Sequence, residues 1–183
     1  MLGTSKSTDG KYVNVSTKKM QITNIVSTAH LNTRLDLAKI AKENINIIYD
    51  PSKFGAASWR HRKIHGTLQI FPNGKLIHLG PPACKKPRVY IRQYARILQK
   101  QGYAVRLSPV RLVCMSAVYK LSGPIRLESI PHSSYHPEVI NTAITRRAGN
   151  TYSIFHTGTV IIAGITNVTS VYPYLLELEL LCE

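Results

Sequence analysis

An α+β fold is predicted for this chain: two pseudo-symmetric copies of one unit, joined as an antiparallel sheet with helices on one face. Three observations predict it: an internal repeat, strand alternation with a turn signal in each copy, and one two-faced helix. The repeat comes first. Thr67-Leu-Gln-Ile-Phe-Pro-Asn-Gly74-Lys-Leu-Ile-His-Leu-Gly80 aligns with Thr151-Tyr-Ser-Ile-Phe-His-Thr-Gly158-Thr-Val-Ile-Ile-Ala-Gly164 at an offset of 84. The threonine, the Ile-Phe pair and both glycines coincide. Upstream, Tyr49-Asp-Pro51, Phe54, Ala57 and Arg60 align with Tyr135-His-Pro137, Ile140, Ala143 and Arg146 at an offset of 86. Thr23 to Leu31 matches Val113 to Leu121 more weakly, at 90. The falling offsets predict a first copy at residues 20–107 and a second, shortened by its loops, at 108–183. The polar segment 1–19 has no counterpart and is expected to be flexible.

Each copy is expected to run strand, helix, strands, helix. Thr67, Gln69 and Phe71 alternate with Leu68 and Ile70, the period of a half-buried strand. That alternation predicts Ile70 and its repeat Ile154 in the core, with Phe71 and Phe155 on the opposite face beside Thr67 and Thr151. Asn73-Gly74 predicts a tight hairpin with positive φ values, returning the chain through Leu76 to Leu79. Pro87 and Gly102 then bracket a helix. Tyr90, Tyr94, Ile97 and Leu98 give it an apolar face; Arg88, Arg92, Arg96 and Lys100 give it a basic one. A short last helix, Thr169 to Cys182, carries Pro173.

Composition narrows the function. The formal net charge is +15, and between Pro51 and Leu127 fifteen Lys or Arg occur without one Asp or Glu. A solvated face mixes both signs, so this run points to a polyanion whose phosphates release counterions when neutralised. A hydrophobic content of 44% supports a folded core, and no apolar run reaches the roughly 18 residues of a membrane span. No secretory signal is expected at the N-terminus. Cys84, Cys114 and Cys182 form no CxxC pair and suggest reduced thiols rather than a disulfide or zinc framework. The seven histidines (30, 61, 65, 78, 132, 136, 156) lack ligand spacing, and no acidic pair stands ready as acid and base. No metal, cofactor, small-molecule substrate or catalysis is expected.

Taken in order, Asn24-Ile-Val26, Leu31, Arg34-Leu-Asp-Leu37, Tyr49-Asp-Pro51, Phe54, Ile70-Phe71 and Gly74-Lys75 resemble the first repeat of the TATA-box-binding protein family. The register continues through Tyr94-Ala-Arg-Ile97, Gln99-Lys100 and Gly102 to Pro124-Ile-Arg-Leu-Glu128. It resumes at Ser133-Ser-Tyr135, Pro137-Glu138, Ile154-Phe155 and Gly158, covering about residues 20 to 175. The resemblance implies a saddle-shaped curved sheet with helices on its convex face. Its open face would enter the minor groove of A·T-rich promoter DNA and bend the duplex, as a nuclear transcription initiation factor. In the family, two pairs of aromatic wedges unstack base steps. Phe54, Phe71 and Phe155 match three wedge positions and Ile140 the fourth. Arg60 and Arg146 match phosphate-contacting arginines, and Lys75 a further basic contact. Its repeat is Thr159, which implies an asymmetric grip on the backbone. Val26, Thr67, Ile77 and Ile161 complete the implied DNA surface.

The departures fall on base readout. Two Asn and two Thr normally meet base acceptors near the centre of the family's site. Asn24 is retained, but Cys114, Leu79 and Ala163 take the other places. Gln69 and Ser153 replace apolar residues beside the wedges, and Ser116 also departs. Wedge and phosphate contacts persist, so binding is expected with poor preference for TATA. Tyr135 and Glu138 lie in the stirrup where the resemblance places an initiation factor. The basic face at Arg88, Arg92, Arg96 and Lys100 resembles the family's landing site for other factors. An adaptor of the same fold that contacts DNA with little specificity is the alternative.

Overall fold

The computed structural model describes residues 4–6, 12–14, 20–81 and 87–182. Within the N-terminal segment, β1 (Thr4–Lys6) and β2 (Tyr12–Asn14) pair antiparallel. The rest of that segment, and Cys84, lie outside the described residues. The chain divides into two compact units, Asn24–Val113 and a second made of Cys114–Glu183 with Met1–Thr23.

The first unit takes β3 (Met20–His30) from Asn24 onward, then α1 (Leu37–Glu43), β4 (Ile47–Ile48), β5 (Ala57–Trp59), β6 (Thr67–Ile70), β7 (Lys75–Gly80) and α2 (Pro87–Lys100). Its antiparallel strands lie in the order β4-β5-β6-β7-β3. Leu68, Ile70 and Leu76 pack from the sheet against Ile91, Tyr94, Ala95 and Leu98 of α2. Each such large apolar side chain removed from water contributes about 1.5–3 kcal/mol. The Asp36 carboxylate caps α1, accepting the Lys39 N–H at 3.0 Å. Gly102, at φ 88°, ends α2: its N–H reaches the Gln99 carbonyl at 3.0 Å and the Tyr103 N–H reaches that of Leu98 at 3.1 Å. The buried stripe of α2 centres on Ile91, Tyr94, Ala95 and Leu98, a spacing of three and four. Tyr90 and Ile97, expected in that face, sit at its half-buried margins.

The second unit takes β8 (Arg111–Lys120) from Cys114 onward, then β9 (Ser134–His136), β10 (Ile140–Arg147), β11 (Asn150–Ile154), β12 (Thr159–Ile165) and α3 (Tyr172–Glu179). The order is β8-β12-β11-β10-β9, again antiparallel. Tyr152, Ile154, Val160 and Ile162 pack against Val171, Tyr174, Leu175 and Leu178. The closing helix is broken into a 3-10 turn, Val168–Val171, and α3, with Pro173 in its first turn, where its missing N–H costs nothing.

Two expectations are corrected. A helix is expected in each copy after the opening strand, but at that place the second unit has a 3-10 turn, Leu127–Ser129. The capping position repeated from Asp36 is Arg126, which makes no capping hydrogen bond. The offset also falls from 90 to 86 across this segment, four residues or about one helical turn. The hairpin after β6 also differs. Asn73 does not adopt positive φ; Gly74 alone does, at 87°. Its N–H bonds the Phe71 carbonyl at 2.9 Å, and Phe71 pairs with Lys75 through its N–H, also at 2.9 Å. Pro72 has no N–H for a two-residue hairpin ladder, whereas the second place of a type I turn suits it.

The backbone repeats more faithfully than the sequence. Leu31 N–H donates to the Gly74 carbonyl at 2.8 Å, and Leu121 N–H to that of Gly158 at 2.8 Å. Leu35 bonds Pro72 at 2.9 Å as Ile125 bonds His156 at 3.0 Å. A Cβ on Gly74 would collide with the Thr33 carbonyl, and one on Gly158 with the carbonyl of Gly123, the repeat of Thr33. Asn46 and His132, 86 apart, both take positive φ, 62° and 56°.

Candidate nucleic-acid interface

Each unit leaves one sheet face open. In the first, Ser58, Gln69, Ile77 and Thr28 form a row across β5, β6, β7 and β3. Thr67, Leu79 and Val26 form the next, ended by Arg60, whose Nε–H donates to Thr67 Oγ1 at 3.2 Å. Phe71, Lys75 and His30 form a third at the hairpin. The alternate side chains Leu68, Ile70, Leu76 and His78 are buried, so these rows are the free face. Asn24, half-buried, continues the same face along β3.

The second unit reproduces the rows. Ile144, Ser153, Ile161 and Val118 form the first; Arg146, Thr151 and Ala163 the second; Phe155, Thr159 and Lys120 the third. These are the repeat positions at offsets of 86, 84, 84 and 90. The second row stops at Ala163, because the β12–β8 register shifts between Ile162 and Ile165, around Gly164 at φ 85°. Cys114, half-buried, and Ser116 lie on this face of β8. Among the described residues, no carboxylate lies in any of these rows.

The four wedge candidates sit at the hairpin side of these faces. Phe54 is 50% exposed and meets Phe71 edge-on, with ring centres 6.1 Å apart. Ile140, also 50% exposed, lines a shallow apolar depression with Ile144, Phe155 and Ile161. Their loops are matched in backbone and not in chemistry. The Asp50 carbonyl accepts the N–H groups of Lys53 at 3.1 Å and Phe54 at 3.0 Å. Hydrogen bonds from Ser52 hold the Asp50 carboxyl below the usual carboxylate range. In the second unit Val139 N–H bonds the His136 carbonyl at 3.0 Å, repeating the Lys53–Asp50 bond. The acid there moves two places on, to exposed Glu138, 3.7 Å from His136 Nδ1. The hydroxyl of Tyr135, two places before the proline, donates to Asn141 Oδ1 at 3.3 Å.

Arg88, Arg92 and Arg96 line a groove along α2 with Gln99, Ser108 and Val110; Lys100 stands exposed at the helix end. Among the described residues, no three His, Cys, Asp or Glu side chains are placed to hold a metal, and no helix is long and apolar enough to cross a membrane.

Comparison with known proteins places this architecture. The family profile described as transcription factor TFIID, or TATA-binding protein, matches residues 19–101. TATA box-binding protein-like 2 of Rattus norvegicus is 35% identical over 159 residues, spanning 83% of this chain and 46% of the rat protein. The TATA-box-binding protein of Strongylocentrotus purpuratus is 36% identical over 151 residues, 79% of this chain and 57% of the relative. This chain belongs to the TATA-box-binding protein family.

A solved structure, the Methanococcus jannaschii TBP, has the same fold, with a TM-score of 0.73 over 88% of this chain and 96% of that one at 20% identity. The chain spans about half the length of the TATA-box-binding protein relatives it matches. The family profile ends just after α2, whereas the alignments to relatives extend over most of the chain. Six members of the open rows escape sequence reasoning: Thr28, His30, Ser58, Val118, Lys120 and Ile144. The repeat offsets hold the signal for them, since each pair falls at 90 or 86.

Proposed function

We propose that this chain is a TATA-box-binding protein-like initiation factor that acts in the nucleus, has no catalytic activity, and binds and bends promoter DNA through the minor groove. The observation that carries the proposal is the pair of open faces: half-exposed Phe and Ile among small polar residues, arginine at the row ends, and no acid. The floor of a minor groove offers sugars and base edges, and its rim offers phosphates. Phe54, Phe71, Phe155 and Ile140 are the wedges, exchanging hydration for contact with an unstacked step. Arg60, Arg146 and Lys75 neutralise phosphates. Asn24, Val26, Thr67, Ile77, Leu79, Cys114, Ile161 and Ala163 meet the groove between them. General initiation factors dock on the groove at Arg88, Arg92 and Arg96 with Lys100, and on the loop bearing Tyr135 and Glu138. The matched backbone bonds support reading residues 20–107 and 108–183 as copies of one ancestral unit.

The test is end-to-end energy transfer on a doubly labelled A·T-rich duplex, with affinity followed through a salt series. With about four to six phosphates neutralised, log K should fall with log salt at a slope of roughly −4 to −5, and the ends should approach on binding. Binding that ignores salt, or leaves the duplex straight, would refute the proposal.

A further inference from the structure

Lys75 of the first hairpin opens β7 opposite His30 of β3 and holds its ammonium 5.9 Å from the Phe71 ring centre. The repeat of Lys75 is neutral Thr159, which the ladder sets opposite Lys120 of β8. His30 and Lys120 are themselves repeat positions, 90 apart. The lysine of the pair has therefore changed strands. Lys120 continues the open face of β8 after Cys114, Ser116 and Val118, while Ala117 and Tyr119 between them are buried. Its ammonium donates to the Thr157 carbonyl at 2.7 Å and to Thr159 Oγ1 at 3.1 Å. Both acceptors flank Gly158 in the hairpin that carries Phe155.

We propose that Lys120 is the phosphate-binding cation of the second hairpin, supplying from the neighbouring strand the charge that position 159 lacks. The inference rests on the DNA-binding reading above, and it replaces the missing lysine of the second hairpin with one from the neighbouring strand, so that each hairpin has a lysine beside it. A lysine ammonium has three N–H donors, and the two hydrogen bonds to the hairpin leave one for an anion. Those bonds also hold the group in place beforehand, so contact orders it less. A lysine on the free face, aimed at the turn beside a wedge candidate, stands where a phosphate would run once Phe155 enters a base step.

The test uses the full chain and a labelled A·T-rich duplex, titrated through a salt series. Lys120→Ala should flatten the log–log slope by about one unit, as Lys75→Ala should in the first unit. Lys120→Ala combined with Thr159→Lys, which returns the charge to the strand used by the first unit, should restore it. An unchanged slope in Lys120→Ala beside a flattened one in Lys75→Ala overturns the proposal and leaves DNA binding standing. Lower affinity at unchanged slope makes Lys120 a hairpin tie only, and likewise overturns it. A parent that binds no duplex removes both readings together.

Discussion

Restoring three polar groups should turn this protein into a sharper reader of TATA. The perturbation is Cys114→Asn with Leu79→Thr and Ala163→Thr. Leu79 lies in the open row between Thr67 and Val26, Ala163 ends the equivalent row beside Thr151, and Cys114 lies on the open face of β8. All three side chains face the proposed groove, and none offers a strong hydrogen bond there. An A·T pair presents N3 and O2 acceptors in the minor groove, while G·C adds an N2 amino donor. An Asn amide or Thr hydroxyl can donate to those acceptors; Leu and Ala cannot, and a thiol does so weakly. A net hydrogen bond is worth about 0.5–1.5 kcal/mol, so three sum to roughly 1.5–4.5 kcal/mol. Tenfold in affinity requires about 1.4 kcal/mol. The triple variant should therefore prefer TATA over a G·C-interrupted duplex at least tenfold more than the parent does. Thr suits a strand, and Ala163 is exposed, so the cost in stability should centre on half-buried Leu79, at about 1 kcal/mol. The assay is competition binding at one fixed salt concentration, with both proteins shown folded by their unfolding midpoints. A parent that already rejects the interrupted site refutes the reasoning, as does a folded triple variant without gain. Groove deformability would then carry the selectivity.

Phe71→Ala and Phe155→Ala should weaken bending more than encounter, because a wedge holds open a step that costs a few kcal/mol to unstack; equal energy transfer in parent and variants would remove the wedge roles. Gly158→Ala should lower stability by about 2–3 kcal/mol, through its φ of 77° and collision with the Gly123 carbonyl. Gly102→Ala, equally left-handed but in open space, should cost less, and urea midpoints compare the two. His78 is fully buried with its ring stacked on Tyr90, Nε2 bonded to the His65 carbonyl at 2.9 Å and Nδ1 without a partner. Burial pushes its pKa below the ordinary 6.5. The fold thus favours neutral imidazole and the unfolded chain the cation. Its contribution is whole above pH 6.5 and declines as pH falls toward the folded value. The thermal midpoint should drop more steeply below that pH in the parent than in His78→Val.

The faces of β6 and β11 are legible in the sequence because a period of two leaves no choice once Ile70 and Ile154 are taken as core. The basic side of α2 is legible for the same kind of reason, at the helical period. The first helix of the second unit is not. A strand-like repeat looks intact there, and only the exchange of a capping Asp for Arg126 and the loss of four residues mark the missing turn. The hairpin type is hidden because Asn73-Gly74 carries a strong two-residue signal, which Pro72 overrides by having no N–H to pair. Lys120 escapes because its relation to Thr159 exists only across a ladder, between residues 39 apart in sequence.

The glycines at the two hairpins have a consequence for descent. Gly74 and Gly158 each lie against a carbonyl that admits no Cβ, so the turn that presents each phenylalanine resists remodelling by substitution. The two units differ instead in what their loops and strands display: Asp50 against His136, Phe54 against Ile140, Lys75 against Thr159. A lineage carrying such a frame can alter what it recognises while the positions from which it recognises stay put, and its two halves can be selected for different tasks without renegotiating their shape.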